Sequence, residues 1–402
     1  MKVKETLAQT RIRRKSQICK VFEIKFDKSH LSKQKLNYLN MLFVEAKWIY
    51  NHQLASKDIF KYSDKIKTVE VLTVGKDLEL RAVQYLSSQM KQGLVDRTKQ
   101  NVINLAKKEN GKGRLKFKSE VNSIPLKQYN NTYYIVNGNY VKLQGFKKNF
   151  RVIGLNQIRR DYEIANAILI KKNGNFYIKI TCFQVKESKE RTGNQVGLDF
   201  GIKDSVVDSN GRKFNFQFPE SKKLKKWSKK FNKAKKESKN RYKQKLKLNK
   251  QYEKLNNRKK DAKNKFVAKL VKENDLICIQ DEMIHQWHKS KMKGWGRKIQ
   301  QGISGGIISE LKKHSETLLI HRSFPSTQLC SNCGSLNKHS LDKRTYKCDC
   351  GYSMDRDIHS ANNILVEGLR ISKGLRNTMP VEKILDLGLQ TKQSSMKQEA
   401  LA

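Results

Sequence analysis

Four cysteines and three acids carry the chemistry this chain could perform. Cys330, Cys333, Cys348 and Cys350 fall within 21 residues as C-x2-C, fourteen residues, then C-x-C, with Gly334 and Gly351 directly after the pairs. Zinc ribbons use two such knuckles, in which glycine admits the tight turn that aims backbone amides at sulfur. The spacing predicts one structural zinc held tetrahedrally by all four thiolates. A redox pair or four buried thiols is the competing reading. The second knuckle departs from the usual C-x2-C, which leaves His339 as a substitute ligand to be weighed.

The acids are Asp199 in "GLDFG", Glu282 at the end of "ICIQDE" and Asp357 in "DRDIHSANNIL". Two-metal phosphodiester hydrolysis needs divalent cations a few ångströms apart, one activating water and the other stabilising the leaving oxygen. Magnesium prefers a few carboxylates plus waters and phosphate oxygens, so three acids from distant segments suffice for two Mg2+. Gly197 and Gly201 would let backbone and substrate come close to Asp199. Asp281 is the minority alternative to Glu282, and Asp355 is read as the N-cap of the helix that carries Asp357. "DFG" also occurs in kinases, but no Gly-rich loop, strand lysine or HRD segment accompanies it here.

Elements from the whole chain must position these groups. A length of 402 residues accommodates two or three domains. "KVFEIKF" (20–26) alternates like a strand, 31–56 reads as an amphipathic helix, and 77–108 reads as one or two more helices. Trp48 and Tyr50 are assigned to the core rather than to base stacking. From 114 to 190 short strands follow one another, with Asn-Gly hairpin turns in "YYIVNGNYVKL" and "AILIKKNGNFYIKI". Nothing in this N-terminal half looks catalytic. After a polar linker (186–195) come a strand ending at Asp199, a hairpin closed at Asn210-Gly211, a basic helical stretch, a buried strand 276–284, a helix around 303–318, the strand "TLLIHRSF", the cysteine cluster and a last helix. This order predicts a mixed α/β, RNase H-like sheet with helices on its faces. Cys19, Cys182 and Cys278, alone among apolar neighbours, are expected to be small buried side chains.

Charge points to the partner. The chain holds 85 Lys+Arg against 37 Asp+Glu, a net of +48, and residues 221–265 alone hold 21 Lys/Arg against three acids, a net of +18. Such a field attracts polyanions, and nucleic acid is the commonest. Lys225, Lys226, Lys229 and Lys230 are the candidate phosphate contacts in that arm; a solvated helix pair is the alternative. No apolar run approaches the roughly 18 residues of a membrane span, and the N-terminus has no apolar secretory core. An intracellular protein with no membrane partner is expected.

"GLDFGIKD", "QDEMI", "PSTQLCSNCG" and "CDCGYSMDRDIHSANNIL", in this order over about 195–370, resemble the TnpB/OrfB family of transposon-encoded proteins, relatives of the type V CRISPR effectors. The resemblance implies a RuvC-type nuclease domain, an RNA-guided DNA endonuclease activity and a guide RNA from the transposon end. It further implies target DNA, double- and single-stranded, beside a short adjacent motif, and residence at the nucleoid of a prokaryotic cytoplasm. By position Asp199, Glu282 and Asp357 match the three RuvC acids, although Met283 stands where the family usually has Asn or Asp. The N-terminal half resembles the family in layout only. It implies a β-barrel, wedge-like domain at 1–30 and 110–190, interrupted by a helical recognition insert at 31–109. The nuclease domain is then 191–402, with a helical hairpin at 221–273, a zinc-ribbon insert at 325–352 and a disordered tail from about 375. A cleavage-inactive RNA-guided repressor and a DDE-like transposase performing strand transfer are the alternatives; the presence of all three acids argues against the first.

Overall fold

The computed structural model describes residues 6–73, 77–107, 113–136, 138–185, 190–287, 295–340 and 343–374. The tail expected to be disordered and part of the expected linker lie outside them. The chain divides into two compact units, Met1–Ser188 and Lys189–Ala402.

The first unit opens with helix α1 (Leu7–Lys15), begun by a capping box at Thr6 and Gln9, and runs directly into strand β1 (Gln17–Phe26). Helix α2 (Lys33–Ala55) follows, then strands β2 (Thr68–Leu72) and β3 (Leu78–Ala82), helix α3 (Ser88–Ala106), and strands β4 (Ser123–Leu126), β5 (Tyr133–Val136), β6 (Tyr140–Leu143), β7 (Phe150–Ile153), β8 (Glu163–Lys172) and β9 (Asn175–Val185). Seven strands form one sheet in the order β4-β8-β9-β1-β7-β6-β5, and an isolated bridge from Tyr129, three residues past β4, to Tyr133 of β5 links the segments at its two edges. The sheet is therefore a nearly closed barrel, which removes the exposed edges that an open sheet would present. The β8–β9 turn is made by Asn173 and Gly174, both at positive φ (51° and 70°), as a two-residue hairpin requires. Inward-facing Ile24, Phe26, Leu126, Leu169 and Ile178 fill the interior, with Phe26 packed edge-on against Phe150 at 5.2 Å.

Three expectations for this half change. Residues 78–82 are not helix but strand β3, paired antiparallel to β2. The alternation in "DLELRA" is the better guide there than the helical pattern that begins ten residues later. Helix α1 was not anticipated, because its largely polar sequence offers little apolar periodicity. Cys19 is exposed on β1, whereas Cys182 and Cys278 are buried. Trp48 and Tyr50 do lie in the core. Glu45, also on α2 and almost fully buried, accepts hydrogen bonds from the backbone N–H groups of Gln84, Tyr85 and Leu86 at 2.7–3.0 Å. That carboxylate fixes the entry into α3.

The second unit comprises strands β10 (Gln195–Asp199), β11 (Val206–Asp208) and β12 (Lys213–Phe214), helices α4 (Lys222–Lys233) and α5 (Lys239–Glu273), strand β13 (Leu276–Gln280), helices α6 (Ile284–Trp287), α7 (Trp295–Gln301) and α8 (Ser304–Leu311), strand β14 (Thr317–Ile320), the ribbon strands β15 (Thr345–Lys347) and β16 (Ser353–Asp355), and helix α9 (Arg356–Ser372). The main sheet has the order β12-β11-β10-β13-β14. Its first three strands are antiparallel neighbours, and β10–β13 and β13–β14 are parallel, with Gly197 opposite Cys278 and Cys278 opposite Leu318. Parallel neighbours require helical crossovers, supplied here by α4–α5 and by α6–α8. This is the predicted RNase H-like arrangement. The helix expected around 303–318 is shorter, ending at Leu311, because Thr317 already begins β14.

Helices cover both faces of this sheet. Leu198, Phe266, Leu270, Ile279, Ile307 and Leu311 form the core under α5 and α8, while Cys278, Ile320 and Ile364 pack under α9. Helix α9 lies very close to the strands. A Cβ on Gly197 would sit 2.2 Å from the Ala361 carbonyl oxygen, and one on Gly368 would sit 2.1 Å from Cys278 Sγ. Gly197 thus makes room for α9 rather than for substrate, correcting the expectation for that residue. Gly201 serves a tight turn, since its Cβ would meet the Asp204 carbonyl oxygen at 2.7 Å.

Candidate metal centres

Close approach of α9 to β10 sets Asp357 near Asp199, and the parallel neighbour β13 carries Glu282 to the same end of the sheet. Asp199 ends β10, Glu282 follows β13 by two residues, and Asp357 is the second residue of α9. Burial, then the neighbouring Asp357 carboxylate, with a smaller contribution from Glu282, push Asp199 up to about 7. Arg356 and Arg344 approach Asp357 only at 3.8 and 3.9 Å, and Arg356 offsets little of the rise at Asp199. A buried carboxylate beside a second one is under-compensated, and a divalent cation would provide the missing charge. The donor set, all carboxylate oxygen, suits a hard ion such as Mg2+.

Asp281 faces elsewhere. It is paired with Lys312 and with Arg322 (3.5 Å), and the Lys312 ammonium holds its carboxyl below the usual range. Glu282 is instead desolvated, which raises its carboxyl, while the Trp287 indole N–H donates to it. Asp355 caps α9 as expected, accepting from the N–H groups of Asp357 (3.0 Å) and Ile358 (3.3 Å). It also pairs with Lys213 at 2.7 Å.

Sequence reading missed the polar network behind Asp199. The Ser360 hydroxyl donates to Asp199 Oδ1 (3.1 Å) and lies 3.0 Å from Ser326 Oγ, whose hydroxyl donates to Gln280 Oε1 (3.1 Å). Gln280 Nε2 in turn donates to the carbonyls of Arg322 (2.9 Å) and Phe324 (2.8 Å). The available signal was the i, i+3 spacing of Asp357 and Ser360, which places both on one helix face.

The four cysteines meet. Their sulfurs all lie within 4.8 Å of one another, with Cys330–Cys350 and Cys333–Cys348 at 3.6 Å each. A tetrahedron of Zn–S bonds of about 2.3 Å has edges of about 3.8 Å, so the thiols fit that ion. Gly334 and Gly351 adopt the positive φ of the knuckle turns (75° and 87°), and each donates its N–H to the carbonyl of the cysteine three or four residues back (3.0 Å). The Ser335 hydroxyl beside Cys333 and Cys348 lowers both thiols, favouring the thiolates that a metal needs. The Asn337 amide donates to Cys348 Sγ at 3.0 Å. This cluster suggests a zinc site. His339 stays outside it, packed edge-on against Tyr346 at 4.9 Å.

The two centres are tied to the same helix. Asn363 Nδ2 donates to the carbonyls of Ser326 and Leu329 (2.8 Å each), Ser331 Oγ donates to Asn363 Oδ1 (3.0 Å), and His359 stacks on Tyr346 at 4.0 Å. His359, Ser360 and Asn363 of "HSANN" therefore bind the first knuckle on one side and Asp199 on the other.

The basic arm is an α4–α5 hairpin. Leu224 and Leu248 are buried, Trp227 carries Lys230 and Lys247 over its ring (5.2 and 4.8 Å), and Lys225, Lys226, Lys229 and Lys230 lie on the outer, solvent-facing side. No helix among the described residues is long and apolar enough to cross a membrane.

The sheet order and the ribbon define a mixed α/β protein with an RNase H-like unit and a four-cysteine insert. Two family models match it in consecutive regions: OrfB_IS605, described as a probable transposase, over residues 178–286, and the Cas12f1-like TNB domain over 310–364. The chain is TnpB-like. A Streptomyces pristinaespiralis protein provisionally named RNA-guided DNA endonuclease is 29% identical over 239 residues, 56% of this chain and 57% of the relative, so the similarity spans little more than half of that protein. A Paramecium bursaria Chlorella virus 1 protein provisionally named transposase A625R is 41% identical over 51 residues, 13% of this chain and 12% of its own. The fold also matches Cas12f1 in the cryo-EM structure of its complex with sgRNA and target DNA, with TM-score 0.50 and 12% identity over 87% of this chain and 99% of that one.

Proposed function

We infer that this protein is an RNA-guided DNA endonuclease that hydrolyses phosphodiester bonds at the Asp199–Glu282–Asp357 centre. What supports the reading is that Asp199 and Glu282 lie at the same ends of the parallel neighbours β10 and β13, while Asp357 lies close enough to Asp199 to raise it. Asp199, Glu282 and Asp357 would hold two Mg2+. Bound there, the ions would supply Lewis acidity for the attacking water and the departing 3′ oxygen. Ser360 holds the Asp199 carboxylate in one orientation, and Trp287 does the same for Glu282. Such fixed orientation avoids reorganisation at the moment of reaction. The four-cysteine ribbon, pinned to α9 through Asn363 and His359, would form a wall beside the acids.

Guidance by RNA is supported by the net charge of +48, by the outward-facing lysines of α4 and by the name of the Streptomyces relative. Base pairing to a guide would select the sequence, while the lysines would bind phosphates without discrimination. The test is expression with the flanking DNA, sequencing of the co-purifying RNA, and incubation of the complex with a matching duplex and Mg2+. Cutting of matched but not mismatched duplex is expected. Robust sequence-specific cutting by RNA-free protein would overturn guidance. The description of the OrfB_IS605 model as a transposase favours a second reading, strand transfer, for which the same assay would yield joined rather than only cut DNA.

A further inference from the structure

A cavity of about 190 Å³ lies within the second unit, walled by the loop after β10, by α6 and by the α7–α8 junction. Its lining includes Gly201, two residues past Asp199, and Trp287, whose indole N–H is engaged by Glu282. The cavity therefore adjoins the acids through two separate segments. Its chemistry is mixed. Ile284 and Ile303 are apolar, Lys298 is cationic, and Gln217 presents a buried side-chain oxygen, Oε1, that has no hydrogen-bond partner. A buried amide oxygen left without a donor is unfavourable, so a ligand that donates to it is favoured. Helix α8 begins there without a side-chain cap, which leaves first-turn amides as further donors. Space exists because the junction is built from Gly302, Gly305 and Gly306; a Cβ on Gly305 would already touch Ile284 at 3.5 Å.

We propose that this cavity receives one unpaired nucleobase of the DNA strand being cut, next to the scissile phosphate, with Gln217 reading its edge and Trp287 its face. The proposal rests on the nuclease reading above. A nucleobase is flat, carries donors and acceptors on one edge, and stacks on an indole. A free anion fits less well, because the unpartnered Gln217 oxygen would repel it. A base pair is too large for the space. Lys298 would lie near the phosphate of the seated nucleotide. Seating requires the base to leave its duplex partner, so the cavity would confine cutting to strands already unwound and would set which phosphate meets the acids.

The experiment scans a single abasic site through guide-matched target DNA, measuring single-turnover cleavage at saturating complex. One position beside the cut is expected to slow wild-type cleavage by roughly tenfold to a hundredfold, the worth of one stacked base. Gln217→Leu should slow cutting of intact DNA and leave the abasic substrate no slower than wild type does, since both changes remove the same contact. In parallel, a single-stranded oligodeoxynucleotide with 2-aminopurine at that position should be quenched on binding the Asp199→Ala protein, and less so when Trp287→Ala is added. This binding arm needs neither cleavage nor a folded Gln217 variant. Uniform tolerance of abasic sites together with unquenched 2-aminopurine, in a complex that cuts normally, overturns the cavity's role and leaves the nuclease reading intact. A complex that never cuts overturns the nuclease reading, and the quenching then decides the cavity by itself.

Discussion

Ser360 Oγ donates to Asp199 Oδ1 at 3.1 Å, joining helix α9 to the end of strand β10 across 161 residues of sequence. The bond exists because Gly197 admits α9 so close to the strand. Ser360→Ala should lower cleavage about 10- to 100-fold, as loss of a partner behind a metal ligand commonly does, and raise the Mg2+ concentration needed for half activity. Unchanged Mg2+ dependence with unchanged rate would show that the hydroxyl only fills space.

Asp199→Ala, Glu282→Ala and Asp357→Ala should each abolish Mg2+-dependent cleavage and leave guide and target binding nearly intact, because affinity comes from basic groups elsewhere. Asp281→Ala should keep cutting, since Asp281 is occupied by Lys312 and Arg322. The measurement is cleavage beside a gel-shift titration. Normal cutting by Glu282→Ala with loss in Asp281→Ala would exchange their roles.

Asp199 also predicts a pH signature in metal-free protein. Its carboxyl is near 7 when folded and about 3.9 when unfolded, so the folded state holds the proton more tightly. The ionised group therefore costs stability above pH 7, and that cost disappears as pH falls toward 4. In EDTA at pH 8, Asp199→Asn should raise Tm; at pH 4 the gain should vanish. Mg2+ should stabilise the wild type and not the variant.

About one zinc per chain should co-purify. Cys330→Ser or Cys348→Ser should release it and reduce cleavage, because the ribbon is anchored to the helix that bears Asp357. His339→Ala should retain full zinc by elemental analysis. Loss of zinc in that variant would bring the histidine into the ligand set.

Replacing Lys225, Lys226, Lys229 and Lys230 by Gln should flatten the salt dependence of nucleic-acid binding by a few units of log–log slope, at about 0.9 per phosphate contact on duplex, without changing which sequence is cut. Glu45→Ala, by contrast, should destabilise the first unit by about 3 kcal/mol or more, since it strands the buried amide donors. Thermal unfolding reads the second effect and salt titration the first.

Local chemistry was legible in the sequence. Cysteine spacing with trailing glycines announces a metal knuckle, because ligand geometry demands turns within a few residues. Asn173-Gly174 announces a hairpin, and Asp355 a cap, for equally local reasons. The strand and helix order implied the RNase H-like sheet, since parallel neighbours need crossovers. Tertiary structure decided the rest. That Asp281 is ion-paired depends on Lys312 and Arg322, which lie 31 and 41 residues away in sequence. The role of Gly197 depends on a helix far later in the chain, where Ala361 closes on it. The cavity beside Trp287 exists only where three separate segments meet. Propensity and spacing act over a few residues, while burial and charge pairing act between whichever residues the fold brings into contact.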